Sequence, residues 1–243
     1  MRSVRQHKRE ARQALAGRWM DAAACYSAWL ATAAGMTLIG EAVAFFLGAR
    51  PDSVRYDAIN ALLAVVGLIV LCPLGFGIRR RMFLARQGVR LSPVEIFFPF
   101  GSLRQWARIL LVRGLVCGRA ILRGLGCYLA AILCYAGLKA GRGTLLFAFG
   151  CAALTVAGGF LSLLSLPGTF LCDYLMIRHP DRSAWQVFRE SNRRRAGQKE
   201  RPLTLALTFS GWLAVGLTGV ALPLVLPYYE MTAAGLAAEL MQE

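Results

Sequence analysis

The chain has 243 residues, 57% of them hydrophobic and 17% charged, against about 25% charged in an ordinary soluble domain. Its 28 basic residues, of which 25 are arginine, outweigh 13 acids and leave a formal charge of +15. This composition excludes a soluble domain. It also argues against a nucleic-acid partner, because the basic residues flank apolar runs and no helix-turn-helix, zinc-finger or aromatic RNA-binding motif is present.

Residues 2–19 are helix formers in which Val4, Leu15 and Trp19 stand among Arg2, Arg5, Lys8, Arg9, Arg12 and Arg18. They read as a basic helix on the cytoplasmic membrane face with Trp19 at headgroup level, or as a solvated tail. The apolar run that follows is much longer than the about 7–15 residues of a signal-peptide core, so the segment is expected to stay in the mature protein. A first transmembrane span is predicted at 22–47, with Glu41 toward its outer edge, and a second at 58–78 after a short polar loop containing Pro51.

Arg79, Arg80 and Arg81 open a basic connector that continues through Arg86, Arg90, Arg104 and Arg108. Its apolar centre, 92–101, is broken by Pro93, Pro99 and Gly101, so it cannot span as a helix and is expected to insert aromatic side chains shallowly. The third span, 115–138, carries Arg119 and Arg123 near its start. At about 100° per residue these fall in one sector with Arg104 and Arg108, while Arg113 lies opposite. The uncharged part is too short to cross alone, so the helix is expected to enter obliquely, Arg119 and Arg123 snorkelling to headgroups or facing a protein interior. Whether 102–138 is one helix or two stays open.

A fourth span is predicted at 144–166, ended by Pro167-Gly168, and the short apolar stretch 169–177 bearing Asp173 reads as a kinked extension or interfacial helix. Ser183 and Gln186 match a capping box, predicting a short amphipathic helix over 183–195 with Trp185 and Phe188 on one face. A fifth span is predicted at 203–226, followed by an interfacial anchor of Pro227, Tyr228 and Tyr229 and an acidic tail.

The fold class is therefore an all-α polytopic transmembrane bundle of about five spans, a single integral membrane domain over 1–243. Alternating the loops puts 22 basic residues on one side and 4 on the other, with Arg119 and Arg123 set aside, which predicts a cytoplasmic N-terminus and an external C-terminus in the cell membrane. No catalytic motif is found, and no cofactor or metal site is predicted: seven cysteines lack CxxC spacing and have only His7 and His179 as imidazole companions. Two readings stand, a non-enzymatic membrane scaffold or partner-binding protein and a small transporter or lipid- or anion-handling protein. Candidate anion or headgroup contacts are Arg113, Arg119 and Arg123. Candidate membrane-surface contacts are Trp185, Phe188, Arg193, Arg194 and Arg195, facing anionic lipids, and a membrane-protein partner or second copy completes the expected company. The small-residue pairs Gly114/Gly118 and Gly137/Gly141 are candidates for close helix contact.

Residues Pro180-Asp-Arg-Ser-Ala-Trp-Gln-Val-Phe-Arg-Glu-Ser191, Gly197, Leu207-Thr-Phe-Ser-Gly-Trp212 and Pro227-Tyr228 with Thr232 and Ala234, together with Ala11–Trp19 and Pro167-Gly168, occur in an order that resembles an uncharacterised bacterial integral membrane family, domain of unknown function 975. The resemblance implies a bacterial cytoplasmic-membrane protein and supplies no activity.

Overall fold

The computed structural model describes residues 3–51, 53–89, 92–139, 145–163, 169–194, 200–216 and 221–242, and every regular element among them is helical. Three helices are long and apolar enough to cross a membrane: α2 (Trp19–Phe46), α3 (Val54–Arg86) and α4 (Leu103–Lys139). At 1.5 Å per residue the 33 residues of α3 and 37 of α4 reach about 50 and 55 Å, well beyond a hydrocarbon layer of about 30 Å. Each therefore has an apolar pole and a basic pole. The helix α5 (Leu145–Leu163) is shorter and runs back along α4. Residues 164–168, with Pro167-Gly168, lie outside the described residues.

Around the basic pole sit the shorter elements: α1 (Val4–Leu15), a 3-10 helix (Pro93–Gly101), α6 (Cys172–Arg178), α7 (Ala184–Arg194) and the pair α8 (Glu200–Gly216) and α9 (Leu222–Leu240). The buried core is here, where Leu74, Phe76 and Ile78 of α3 meet Ile109 and Val112 of α4, Leu175 of α6 and Met231 to Ala237 of α9. The apolar pole is the reverse: Leu38, Phe45 and Phe46, Leu62, Leu68, Leu129, Ile132, Leu133, Phe149 and Val156 all point outward. The accessible surface, 14389 Å², exceeds by about a third the roughly 10,700 Å² of a compact soluble protein of this mass. The excess is apolar area that a lipid solvent would cover.

Local sequence explains the elements. Ser3 and Gln6 cap α1 reciprocally, the Gln6 amide donating to Ser3 Oγ and the Ser3 amide to Gln6 Oε1, and Ser183 with Gln186 does the same for α7. In α1 the stripe His7, Ala11 and Leu15 is buried, and the helix packs on α9. Its apolar face is taken by protein and not by lipid. Pro73 lies inside α3 without ending it, and the Trp29 indole donates to the Leu71 carbonyl in that turn at 3.2 Å. The stretch 102–138 is one continuous helix. In the 3-10 helix Ile96 and Pro99 are buried while Phe97 and Phe100 are exposed.

Two expectations need correction. The predicted fifth span at 203–226 falls on two helices: α8 is described as far as Gly216, residues 217–220 lie outside the described residues, and α9 starts at Leu222 with Pro223 in its first turn, where the missing amide hydrogen costs nothing. The two run antiparallel, Arg201 against Glu239 at 3.0 Å and Phe209 against Tyr228 with centroids 5.1 Å apart. The N-terminal helix and the end of α9 are in contact, for His7 Nε2 bonds Glu239 Oε2 at 2.9 Å and Arg86 bonds both Glu10 and the Met231 carbonyl. Burial, opposed by Glu239, lowers the His7 pKa below the ordinary imidazole value, so the ring is neutral at pH 7 and donates from Nε2. Pro227 and Tyr228 are likewise buried core residues, not an external anchor.

Of the two small-residue pairs, Gly137 makes a close contact, a Cβ there coming within 3.1 Å of the Phe147 ring on α5, and Gly141 lies outside the described residues. A Cβ at Gly114 or Gly118 would meet nothing within 4 Å, whereas one at Gly124 would approach the Gly158 carbonyl to 2.7 Å, and one at Gly77 would overlap the Ile96 carbonyl at 1.9 Å. Gly77 is thus what lets the 3-10 helix lie on α3. Gly77→Ala should lower stability in mild detergent by about 1–3 kcal/mol through overpacking, while Gly114→Ala should be neutral or slightly stabilising, as read from thermal unfolding of the purified chain.

Candidate functional site

Three consecutive arginines leave α3 at steps of about 100° and so reach three different neighbours. Arg79 turns to α6 and α9, its Nη1 donating to Asp173 Oδ2 at 2.7 Å and its Nε to Glu230 Oε1 at 3.0 Å. Arg80 turns to the 3-10 helix, with Glu95 Oε2 at 2.8 Å and the Phe98 ring 3.9 Å from its guanidinium carbon. Arg81 turns to α2, where it donates to the Asp21 carbonyl and to Cys25 Sγ.

The arm at Arg79 is the centre of the site. Arg113 of α4 donates to the same Asp173 oxygen from the other side, and the Tyr174 hydroxyl donates to Glu230 Oε2 at 3.2 Å. Asp173 and Glu230 are 5% and 7% exposed, so each has given up nearly all hydration and depends on these partners. Burial pushes the Asp173 carboxyl up, but the Arg113 and Arg79 guanidiniums outweigh it and hold its pKa below the usual carboxylate value. Beside the cluster is a cavity of about 140 Å³ lined by Arg79, Arg113, Thr169, Asp173, Tyr229 and Glu230. Asp173 Oδ1 is buried and has no partner among the described residues, leaving one acceptor for a water or another small donor.

The structure separates the three arginines grouped in the sequence. Arg113 belongs to this cluster; Arg119 donates to Asn192 Oδ1 and lies 5.8 Å from the Phe188 ring, fastening α7 to α4; Arg123 lies a further turn along α4. Trp185 and Phe188 do share a face of α7, with centroids 5.9 Å apart and Trp185 60% exposed, while Val187 and Ser191 point inward. Arg193 is exposed and pairs with Glu190 at 3.1 Å; Arg194 pairs with Glu190 at 2.7 Å and donates to the Met241 carbonyl at 2.8 Å. Arg195 lies outside the described residues. Asp173, placed by the sequence in a kinked extension or interfacial helix, is a buried acid held by two arginines, and Glu230 was not singled out. The available signal was an isolated acid in each of two apolar helices. Glu41 matches its reading as an edge carboxylate, accepting from the Tyr56 hydroxyl at 2.7 Å on an exposed face.

Because a depressed folded-state pKa contributes stability above the unfolded value and loses it as pH falls through the folded value, the Asp173 contribution should be complete near neutrality and vanish in strong acid. Asp173→Asn should cost about 3 kcal/mol at pH 7 by stranding Arg113, and Glu41→Gln less than about 1 kcal/mol. Thermal unfolding at pH 7 and at pH 3 checks this, with the Asp173→Asn deficit shrinking at the lower pH. No family model, curated protein or solved structure matches the chain, so the reading of the site rests on its own geometry.

Proposed function

We propose that the protein is a multi-pass component of a bacterial cytoplasmic membrane and acts as a non-enzymatic scaffold, its basic pole and both termini on the cytoplasmic side. The single observation carrying this reading is that the buried charged side chains are turned on one another: Arg79, Arg113, Asp173 and Glu230 lock α3, α4, α6 and α9 together, leaving them committed to holding helices. The inverted distribution of apolar surface supports the membrane setting, and the ordered residues that resemble domain of unknown function 975 support the bacterial one. What the scaffold presents is α7 with Trp185 and Arg193, together with the exposed Phe97 and Phe100, to anionic lipid and to a membrane-protein partner or a second copy.

The recount of sides costs the positive-inside rule nothing. No basic residue follows Arg201, so folding α8 back through α9 moves the C-terminus without changing the tally. The alternative, a small transporter or lipid- or anion-handling protein, is favoured by one feature, the cavity beside the unpartnered oxygen of Asp173.

Reporters fused after Asp52 and Gly141 should read external, and those after Gln87, Gln198 and Glu243 cytoplasmic; an external Glu243 reporter would contradict the hairpin arrangement. A photo-crosslinker replacing Trp185 in living cells should give a discrete protein adduct. Adducts to lipid alone would move the alternative ahead.

A further inference from the structure

Arg81 differs from every other arginine around the core. It is the one buried arginine among the described residues, 8% exposed, yet no carboxylate there lies within salt-bridge distance of it. Only Nη1 is engaged, by the Asp21 main-chain carbonyl and the Cys25 sulfur, both neutral acceptors. Arg79, Arg80, Arg86 and Arg113, all more exposed, each hold a carboxylate. A guanidinium removed from water without a counter-charge is costly; Arg108, Arg119 and Arg178 also meet only neutral acceptors, but all three keep more contact with solvent than Arg81.

Arg81 opens onto a cavity of about 330 Å³ at the elbow where α1 turns into α2. Arg18 stands at its rim as the N-cap of α2, the first turn of α2 forms one wall, and Leu15, Met82, Val89 and Met231 supply the apolar remainder. Asp21 is also on the wall, so the local charge of Arg18, Arg81 and Asp21 is net positive. Trp19, the next residue, packs on Tyr228 with ring centroids 6.2 Å apart and fixes the elbow to α9. Two guanidiniums, a helix N-terminal turn and an apolar floor match one ligand chemistry, an anionic phosphate ester.

We propose that this elbow is a stoichiometric binding site for an anionic phosphate group, with Arg81 and Arg18 as its ligands and the headgroup of an acidic phospholipid as its natural source. The site is separate from the Arg79–Asp173 cluster and does not depend on the scaffold reading. Only the source of the ligand depends on the membrane setting, which the topology reporters test independently.

The full-length protein in neutral detergent is titrated with short-chain phosphatidylglycerol, short-chain phosphatidylcholine and inorganic phosphate, and adducts are counted by native mass spectrometry on folded monomer. One phosphatidylglycerol per chain should bind where phosphatidylcholine leaves no adduct. Arg81→Gln and Arg18→Gln should each weaken it at least tenfold, and Asp21→Asn should tighten it a few-fold. Since Arg18 is only half-buried, Arg18→Gln keeps the test decisive if Arg81→Gln fails to fold. Displacement of the lipid by millimolar inorganic phosphate would support the site with free phosphate as a second source, and resistance to displacement would support it with the headgroup as the ligand. Equal retention of both lipids, or a phosphatidylglycerol adduct unchanged by Arg18→Gln and Asp21→Asn, would overturn the proposal.

Discussion

A carboxylate that has lost its water must keep a cation within reach, and Asp173 and Glu230 impose that requirement on four helices at once. Asp173 brings Arg79 of α3 and Arg113 of α4 to one oxygen, and Glu230 returns α9 to Arg79. The level at which α3 and α4 emerge from their apolar halves is thereby set, as is the register of α9 along α3. Arg86 repeats the contact two turns further on, donating to the Met231 carbonyl where Gly235 leaves room for its guanidinium. The α2–α3, α4–α5 and α8–α9 pairs share this base, while their apolar ends carry the outward-facing leucines and phenylalanines.

The arginine tract of α3 serves both topology and tertiary structure. As three positive charges next to an apolar run, Arg79, Arg80 and Arg81 hold that end on the cytoplasmic side under the proposed orientation. As three side chains spread around a helix, they fasten α6 and α9, the 3-10 helix and α2 respectively. A substitution there is expected to act on packing before it acts on orientation, because the remaining basic residues of the same side are many.

Much of the architecture was legible from residue order. Apolar runs located α2 to α5, the Ser183/Gln186 pair announced α7, and the helical wheel already put Arg113 opposite Arg119, which is why one meets Asp173 and the other Asn192. The α8–α9 turn was illegible to charge counting because no lysine or arginine follows Arg201; its signals were weaker, Gly216, Gly219 and Pro223 inside an apolar run. The cluster itself was illegible for a different reason. Its partners are 56 to 151 positions apart, and nothing in local periodicity tells an acid that faces protein from one that faces water.

The claim on which the rest depends is that Arg113 and Asp173 are energetically coupled across α4 and α6. A double-mutant cycle of Arg113→Gln and Asp173→Asn, read from reversible unfolding of the full chain in mild detergent at pH 7, measures it directly. The account predicts a coupling of about 1–3 kcal/mol, the double variant being far less impaired than the two single losses combined. Additivity within about 0.5 kcal/mol would mean the pair holds nothing together, and the clasp at the base of the helices would have to be abandoned.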